Sequence, residues 1–199
     1  MNNLVLYIHG KDGNAEEANH YKTFFRKHYI IGFDYNAKTP WKAKDEFCSF
    51  IAPLSEHYGR ITLIANSIGA YFAMSAEIDD LIEKAYFISP IIDMEKLIFD
   101  MMERVNVTES ALKKKNVIHT DFGEDLSWEY LSYVRTHPIQ WKAPTEILYG
   151  SEDHLTSLET ISTFSLKNNV HLTIMQGGEH YFHTDAQMKF LDQWIQGNL

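Results

Sequence analysis

Four short polar loops, each directly after an apolar run, carry the side chains of this chain that could do covalent chemistry. They span residues 9–13 (HGKDG), 65–69 (ANSIG), 150–154 (GSEDH) and 177–180 (GGEH). A serine hydroxyl is a weak nucleophile until a base takes its proton, and the base works best when a third group fixes its tautomer. The last three loops supply such a set in the order serine, aspartate, histidine. They predict Ser67 as nucleophile, His180 as general base and Asp153 as the acid that orients the base.

Ser67 lies in the stretch IANSIGA, between an apolar run and a helix-like segment from Ile68 to Ala76. A serine on a tight strand-to-helix turn exposes its hydroxyl and directs the next backbone N–H groups toward a developing oxyanion. Such a turn needs small residues two before and two after the serine, and Ala65 and Gly69 meet this need. Taken alone, Ser67 would also fit an ordinary helix N-cap, since serine is favoured there. The companion loops favour the nucleophile.

Two of the three roles have rivals in the sequence. His183 is the alternative base, although its place at the start of the last helix fits a surface or capping histidine equally well. Asp93, shortly after the fourth apolar run, is the alternative acid, and Glu152 is a weaker one. Asp153 itself would also suit an Asx turn.

The elements that must position these residues are short apolar runs separated by helical stretches. Near-continuous apolar runs are typical of parallel strands, which are covered on both faces. Strands that alternate with helices predict a doubly wound α/β domain. The expected strands are 4–8, 29–33, 61–65, 85–89, 146–149 and 170–175, and helical spacing marks 15–28, the region of 47–54, and 190–195.

The interval between Ser89 and Thr145 is longer than one crossover helix requires. It holds three helix-like pieces, near 94–104, 108–115 and 125–136. We therefore expect a small helical cap inserted over about 91–142, leaving from the carboxyl end of the fourth strand, where open α/β sheets bind their ligands. Aromatic residues of this interval, together with His9, form a candidate substrate pocket. Its expected members are Trp128 and Tyr133, beside Tyr130 and Trp141. Packing within the core of the cap is the alternative role for these aromatic residues.

The order Ser, Asp, His, each after a strand, together with His9-Gly10 after the first strand, resembles the α/β-hydrolase superfamily. The resemblance extends from the first strand to the last helix and implies one α/β-hydrolase domain over 1–199. It implies an oxyanion hole made by the backbone N–H groups of Lys11 and Ile68, with His9 supporting the loop. Ala65 departs from the family pattern, which has glycine there.

Composition and motifs exclude several other classes of function. The formal net charge of −9 and the single basic run at 113–115 argue against nucleic acid as a partner. The pair His180 and His183 has metal-ligand spacing but lacks the glutamate of a zinc protease, and the loop 9–13 lacks the dinucleotide pattern Gly-x-Gly-x-x-Gly. No metal and no cofactor are therefore expected. Cys48 is the single cysteine, and the first residues carry no basic segment or long apolar run, which predicts a cytoplasmic protein without membrane contact.

The sequence thus predicts a serine hydrolase that cleaves carboxylic esters, with thioesters or amides as variants, through an acyl-enzyme. The expected partner is a small-molecule acyl substrate, and the sequence fixes neither its identity nor the oligomeric state. Two alternatives stay open: an acyltransferase that uses the same three residues, and a non-catalytic protein that uses the same pocket to bind a ligand or partner.

Overall fold

The structure, a computed structural model, describes residues 3–59, 61–168 and 170–199. The chain divides into two compact units, one formed by Met1–Ile92 with Gln140–Leu199 and the other by Asp93–Ile139. The smaller unit falls within the predicted insertion of about 91–142. Its role as a cap stays a prediction.

Eight strands are present in the described residues, and six of them form one parallel sheet in the larger unit. The sheet order is β2-β1-β3-β4-β7-β8, as predicted for a doubly wound α/β domain. The strands are β1 (Asn3–Ile8), β2 (His28–Phe33), β3 (Ile61–Asn66), β4 (Ile82–Ile88), β5 (Val117–Ile118), β6 (Leu126–Ser127), β7 (Thr145–Gly150) and β8 (His171–Met175).

Helices cover the sheet and build most of the smaller unit. They are α1 (Pro40–Tyr58), α2 (Ile68–Ser75), α3 (Met94–Arg104), α4 (Glu109–Lys115), α5 (Trp128–Thr136), α6 (Leu158–Asn168) and α7 (Asp185–Gly197), with 3-10 helices over Ala15–Thr23 and Asp79–Leu81.

The central strands are buried on both faces, which explains why they are apolar without alternation. Val5, Leu6 and Ile64 have no exposed surface, and neither has Phe47 of α1, which packs its ring edge against Phe33. The edge strands β2 and β8 are only half-buried. The core therefore lies along β1, β3, β4 and β7, whose ends carry most of the loops singled out above.

The segment after β1 differs from the prediction. A helix over 15–28 was expected, whereas a 3-10 helix ends at Thr23 and β2 begins at His28. Asn14 caps the 3-10 helix through a capping box with Glu17. The start of the 3-10 helix packs directly against β2, because a Cβ added at Gly32 of β2 would lie 2.0 Å from the carbonyl oxygen of Ala15.

Within the smaller unit, α3, α4 and α5 correspond to the three expected helical pieces. α3 and α4 begin with side-chain caps from Asp93 and Thr108. The antiparallel pair β5–β6 was not predicted, since strands of two residues are too short to show a period.

Candidate active site

Strand pairing brings the candidate loops to one edge of the sheet. Ile8 pairs with Ala65, so the loop after β1 lies beside the turn after β3. Asn66 pairs with Ile88, and on the far side Gly150 pairs with Met175. Because all these strands are parallel, their carboxyl ends share one edge. The sheet order also reverses between β1 and β3, the kind of switch point at which open α/β sheets bind ligands.

Ser67 occupies the turn between β3 and α2 in a strained conformation. Its φ of 51° and ψ of −119° lie in a region that residues with a side chain rarely adopt. Such conformations cost on the order of 1–3 kcal/mol and tend to occur at functional sites. Its side chain makes no N-cap hydrogen bond to α2, so the expectation of an ordinary cap does not describe this serine.

The position two residues after Ser67, where the sequence predicted a need for a small residue, has room only for glycine. A Cβ added at Gly69 would lie 2.3 Å from the carbonyl oxygen of His9 and 2.9 Å from the side chain of Ile8. The nearest atoms therefore belong to the end of β1 and the residue that follows it. Gly10 is less crowded but still tight, since its added Cβ would lie 3.3 Å from the Cβ of Ser67.

Three side chains from three separate loops form a continuous hydrogen-bonded series. The Oγ atom of Ser67 lies 2.8 Å from Nε2 of His180. On the other side of the ring, Nδ1 of His180 lies 2.7 Å from Oδ2 of Asp153. With the proton on Nδ1, the imidazole donates to the carboxylate, and Nε2 is free to accept from the serine hydroxyl.

The Asp153 side chain has no exposed surface, and both of its oxygens are in use. Oδ1 accepts hydrogen bonds from the backbone N–H of Leu155 at 2.8 Å and of Thr156 at 3.1 Å. This is the Asx-turn geometry that the sequence allowed for Asp153. The turn and the bond to His180 occur together, because each uses a different oxygen.

The loops that carry Asp153 and His180 are joined by hydrogen bonds. Glu152 N–H donates to the carbonyl of Gly178 at 2.8 Å, and Gly177 N–H donates to Oγ of Ser151 at 2.8 Å. A Cβ added at Gly150 would lie 2.3 Å from the Gly178 oxygen, so this contact requires glycine. Glycines before His180 could serve to free the backbone for a turn. Gly177, at φ 72°, does so, while Gly178 lies in close contact with Gly150.

His9 begins the loop after β1 and is buried. Its ring stacks on Tyr35 at 4.4 Å between centroids, and its Nδ1 donates to the carbonyl of Gly10 at 2.7 Å. The Tyr35 hydroxyl donates to the carbonyl of His9 at 3.0 Å. Burial raises the pKa of Tyr35, with a smaller effect of Glu46, so the phenol stays protonated as a donor. His9 therefore supports the loop, and Tyr35 is a contributor that no sequence motif marked.

The expected oxyanion donors belong to the loop after β1 and to the turn after β3. Ile68 begins α2, where first-turn N–H groups have no partner within the helix. Lys11 lies in a tight turn in which Gly13 N–H donates to the carbonyl of Gly10 at 3.3 Å. Their role in binding an oxyanion stays a prediction.

The rival residues have local roles of their own. His183 is exposed, and its Nδ1 donates to the carbonyl of Tyr181 at 2.8 Å. Asp93 caps α3 by accepting from the N–H of Lys96 at 2.9 Å. Glu152 has an exposed side chain.

The aromatic residues of the candidate pocket are distributed over both units. Trp128 and Tyr133 are half-buried on α5 of the smaller unit, where Lys113 lies over the Trp128 ring and His137 stacks on Tyr133 at 3.9 Å. Trp141 belongs to the larger unit, is buried, and donates to Thr145 Oγ1 at 2.7 Å. Trp141 is thus a core residue beside the sheet. A pocket formed by Trp128 and Tyr133 stays a prediction.

In the part of the chain that the structure describes, no group of three or more histidine, cysteine or carboxylate side chains is placed to hold a metal ion. None of the helices among those residues has both the length and the apolar character needed to cross a membrane.

Comparison with known proteins identifies the fold. No family model matches the chain, and no curated protein matches its sequence. Solved structures do match over nearly its whole length. Est1E from Butyrivibrio proteoclasticus is 17% identical, with a TM-score of 0.72 over 99% of this chain and 86% of that one.

Two further structures agree. The mouse α/β-hydrolase domain-containing protein 10 is 15% identical, with a TM-score of 0.71 over 98% of this chain and 90% of that one. An esterase from Pyrococcus furiosus is 21% identical, with a TM-score of 0.64 over 99% and 80% of the two chains. The chain has the α/β-hydrolase fold, as the sequence predicted. At these identities the likeness establishes the fold, and function has to be argued from the site.

Proposed function

We propose that this protein is a serine hydrolase that cleaves carboxylic esters through an acyl-enzyme on Ser67. The observation that carries the proposal is the series Ser67–His180–Asp153, with distances of 2.8 and 2.7 Å. Each bond lies within the range expected for a nucleophile, its base and the group that orients the base. The strained conformation of Ser67 adds support, because it holds the hydroxyl at the end of the sheet rather than on the helix cap.

In the proposed first half-reaction, Oγ of Ser67 attacks the ester carbonyl while its proton passes to Nε2 of His180. The tetrahedral oxyanion accepts hydrogen bonds from the backbone N–H groups of Ile68 and Lys11. The C–O bond to the leaving group then breaks, and the imidazolium returns the proton to the departing alkoxide. Asp153 stabilises the imidazolium while it exists and holds the ring in one orientation.

In the second half-reaction, water replaces the alcohol. Nε2 of His180 takes one proton from the water as its oxygen attacks the acyl carbonyl. The second tetrahedral intermediate collapses with release of the carboxylic acid, and the proton returns to Oγ of Ser67. The products are one alcohol and one acid, and the enzyme is regenerated.

The comparisons suggest where to begin with substrates. Ferulic acid, an aromatic carboxylic acid, has been observed bound to Est1E. Aromatic esters of this type belong in the first panel, beside straight-chain esters of increasing length. Ester hydrolysis as the reaction, rather than a chosen acyl group, is what the site geometry supports.

The test is pre-steady-state hydrolysis of p-nitrophenyl esters by the wild type and by Ser67→Ala. We expect a burst of p-nitrophenol equal to the enzyme concentration, followed by slower turnover, and no burst from Ser67→Ala. Removing a member of such a catalytic set costs several orders of magnitude in kcat because its members act as a unit. Added alcohols that accept the acyl group more readily than water would assign the acyltransferase alternative. The absence of a burst and of turnover across the panel would contradict the proposal.

Matched histidine variants separate the base from its rival. We expect His180→Ala to lose activity to the level of Ser67→Ala, because the bond to Oγ is lost. His183→Ala should retain activity within about three-fold, since its contacts are local. The reverse ranking would assign the base to His183.

A further inference from the structure

The backbone of Ser67 is held from the neighbouring strand. Ser67 N–H donates to the carbonyl of Ile88 at 2.9 Å, and Ile91 N–H donates to the carbonyl of Ser67 at 3.2 Å. Between these two anchors, Ser89 adopts a positive φ of 44° and is completely buried. The last residue of β4 and the loop after it therefore hold the backbone N–H and the carbonyl of Ser67.

The same loop is bound from the other side by Thr156. The Thr156 hydroxyl donates to the carbonyl of Pro90 at 3.2 Å, a contact that joins residues far apart in the chain. Thr156 is only 4% exposed, so water has little access to this hydrogen bond. The side chain of Thr156 thus connects the loop after β7 to the loop that holds Ser67.

Thr156 also contacts the acid directly. Its backbone N–H donates to Oδ1 of Asp153 at 3.1 Å, while its carbonyl accepts from the hydroxyl of Tyr149 at 2.8 Å. Burial, and to a smaller extent the negative charge of Asp153, raises the pKa of Tyr149, which keeps this phenol protonated. Thr156 is therefore fixed at three points by one carboxylate, one phenol and one carbonyl.

These bonds close a ring. One path leads from Ser67 through His180 to Asp153 by side chains, and the other leads from Asp153 through Thr156 and the loop after β4 back to the Ser67 backbone. The second path joins the loop that carries the acid to the loop whose residues bond the backbone of the nucleophile. Among the described residues, the hydrogen bond from the Thr156 hydroxyl to the Pro90 carbonyl is the side-chain-to-backbone link between these two loops.

We propose that Thr156 is a positioning residue for the hydrolytic reaction, acting through its hydroxyl to hold the Asp153 loop in register with Ser67. The inference rests on the proposed function. Its physical basis is that the attacking oxygen, the base and the acid act only in a narrow geometry, so that a displacement of about 1 Å can cost 10²-fold in rate. Loss of the hydroxyl relaxes this geometry without removing any group that contacts the reacting atoms.

The experiment compares Thr156→Val with Thr156→Ser in ester hydrolysis. We expect Thr156→Val to lower kcat by about 10- to 100-fold with KM changed less than about two-fold, since the contact matters for the chemical step and not for substrate binding. Thr156→Ser keeps the hydroxyl and should remain within about three-fold of the wild type. The rate of Ser67 labelling by a fluorophosphonate should fall in parallel with kcat.

Thr145→Val is the matched control. Thr145 is equally buried, and its hydroxyl also donates to a backbone carbonyl, that of Ala143, at 2.8 Å. It begins β7, ~16 Å along the strand from Gly150 by the rise of an extended chain. We expect Thr145→Val to lower the melting temperature but to leave kcat unchanged. This separates a loss of stability from a loss of positioning.

Two results would overturn the inference: a kcat for Thr156→Val within about three-fold of the wild type, or an equal loss in Thr156→Ser. If Thr156→Val does not fold, Thr156→Ala removes the hydroxyl without the added methyl group and decides the same question. Failure of the proposed function is distinguishable, because the wild type itself would then neither hydrolyse esters nor react with the fluorophosphonate.

Discussion

Replacing Asp153 with asparagine changes the site by a single atom and has a consequence that follows from the hydrogen bonds around it. Oδ1 of Asp153 faces two backbone N–H groups, those of Leu155 and Thr156. An asparagine side chain must keep its carbonyl oxygen at this position, because its NH₂ group would otherwise face two donors. The NH₂ group then replaces Oδ2 and points at Nδ1 of His180, 2.7 Å away in the wild type.

This arrangement reverses the tautomer of the histidine. Nδ1 has to accept from the amide, so the ring proton moves to Nε2, which can no longer accept from the hydroxyl of Ser67. Loss of the correct tautomer in a serine–histidine–aspartate set lowers kcat by about 10⁴. That factor corresponds to about 5 kcal/mol in the activation free energy. The folded state should be affected little, since asparagine has the size of aspartate and keeps the two backbone contacts.

The assay is kcat/KM for the best ester of the panel, measured beside the melting temperature. Asp93→Asn is the matched control, because it makes the same substitution at the alternative acid, and asparagine caps a helix as well as aspartate does. We expect Asp153→Asn to lose three to four orders of magnitude and Asp93→Asn to stay within about three-fold of the wild type. A loss below ten-fold for Asp153→Asn, or a larger loss for Asp93→Asn, would refute the tautomer argument.

Three further changes have expected outcomes. Gly69→Ala places a Cβ 2.3 Å from the backbone oxygen of His9. We expect the free energy of unfolding to fall by about 1–3 kcal/mol, the melting temperature in a thermal scan to fall by several degrees, and esterase activity to be lost. Unchanged activity would contradict the packing given for the turn. Gly150→Ala places a Cβ against the backbone of Gly178 and so separates the loops that carry Asp153 and His180. We expect kcat to fall more than 10-fold with a smaller change in the melting temperature. A fall in the melting temperature with unchanged kcat would contradict a role of this contact in holding the two loops together. Burial raises the pKa of the Cys48 thiol, so its alkylation by iodoacetamide near neutral pH should be slower than that of a free cysteine and should become faster as the pH rises. Cys48→Ala should leave esterase activity unchanged. Fast alkylation at neutral pH would contradict the first expectation, and a loss of activity would contradict the second.

The fold could be predicted from the sequence because its signals are local. The runs that became β1, β3, β4 and β7 are mostly apolar without strict alternation, as is typical of strands covered on both faces, and the helical spacing marked α7. Prediction failed where an element is too short to show a pattern or where contacts with a distant strand determine its conformation. The 3-10 helix over Ala15–Thr23 is constrained by contact with Gly32 in another strand, and β5 with β6 is too short to leave a pattern.

The candidate site divides in the same way. Ser67, Asp153 and His180 could be selected because each follows a strand and carries a reactive group, and parallel strands end at one edge of the sheet. Thr156 and Tyr35 could not be selected, since their contacts to Pro90 and His9 connect loops that are distant in sequence. The glycines at 150 and 178 were visible at the strand ends, but their role depends on the approach of two backbones that only the structure reveals.

The most direct test of the central claim is the stoichiometry and position of fluorophosphonate labelling, measured by intact mass and by peptide mapping. We predict one phosphonyl group per wild-type chain, located on Ser67, and no incorporation into Ser67→Ala. Label on another residue, equal labelling of Ser67→Ala, or an unmodified wild-type protein would contradict the assignment of Ser67 as the nucleophile.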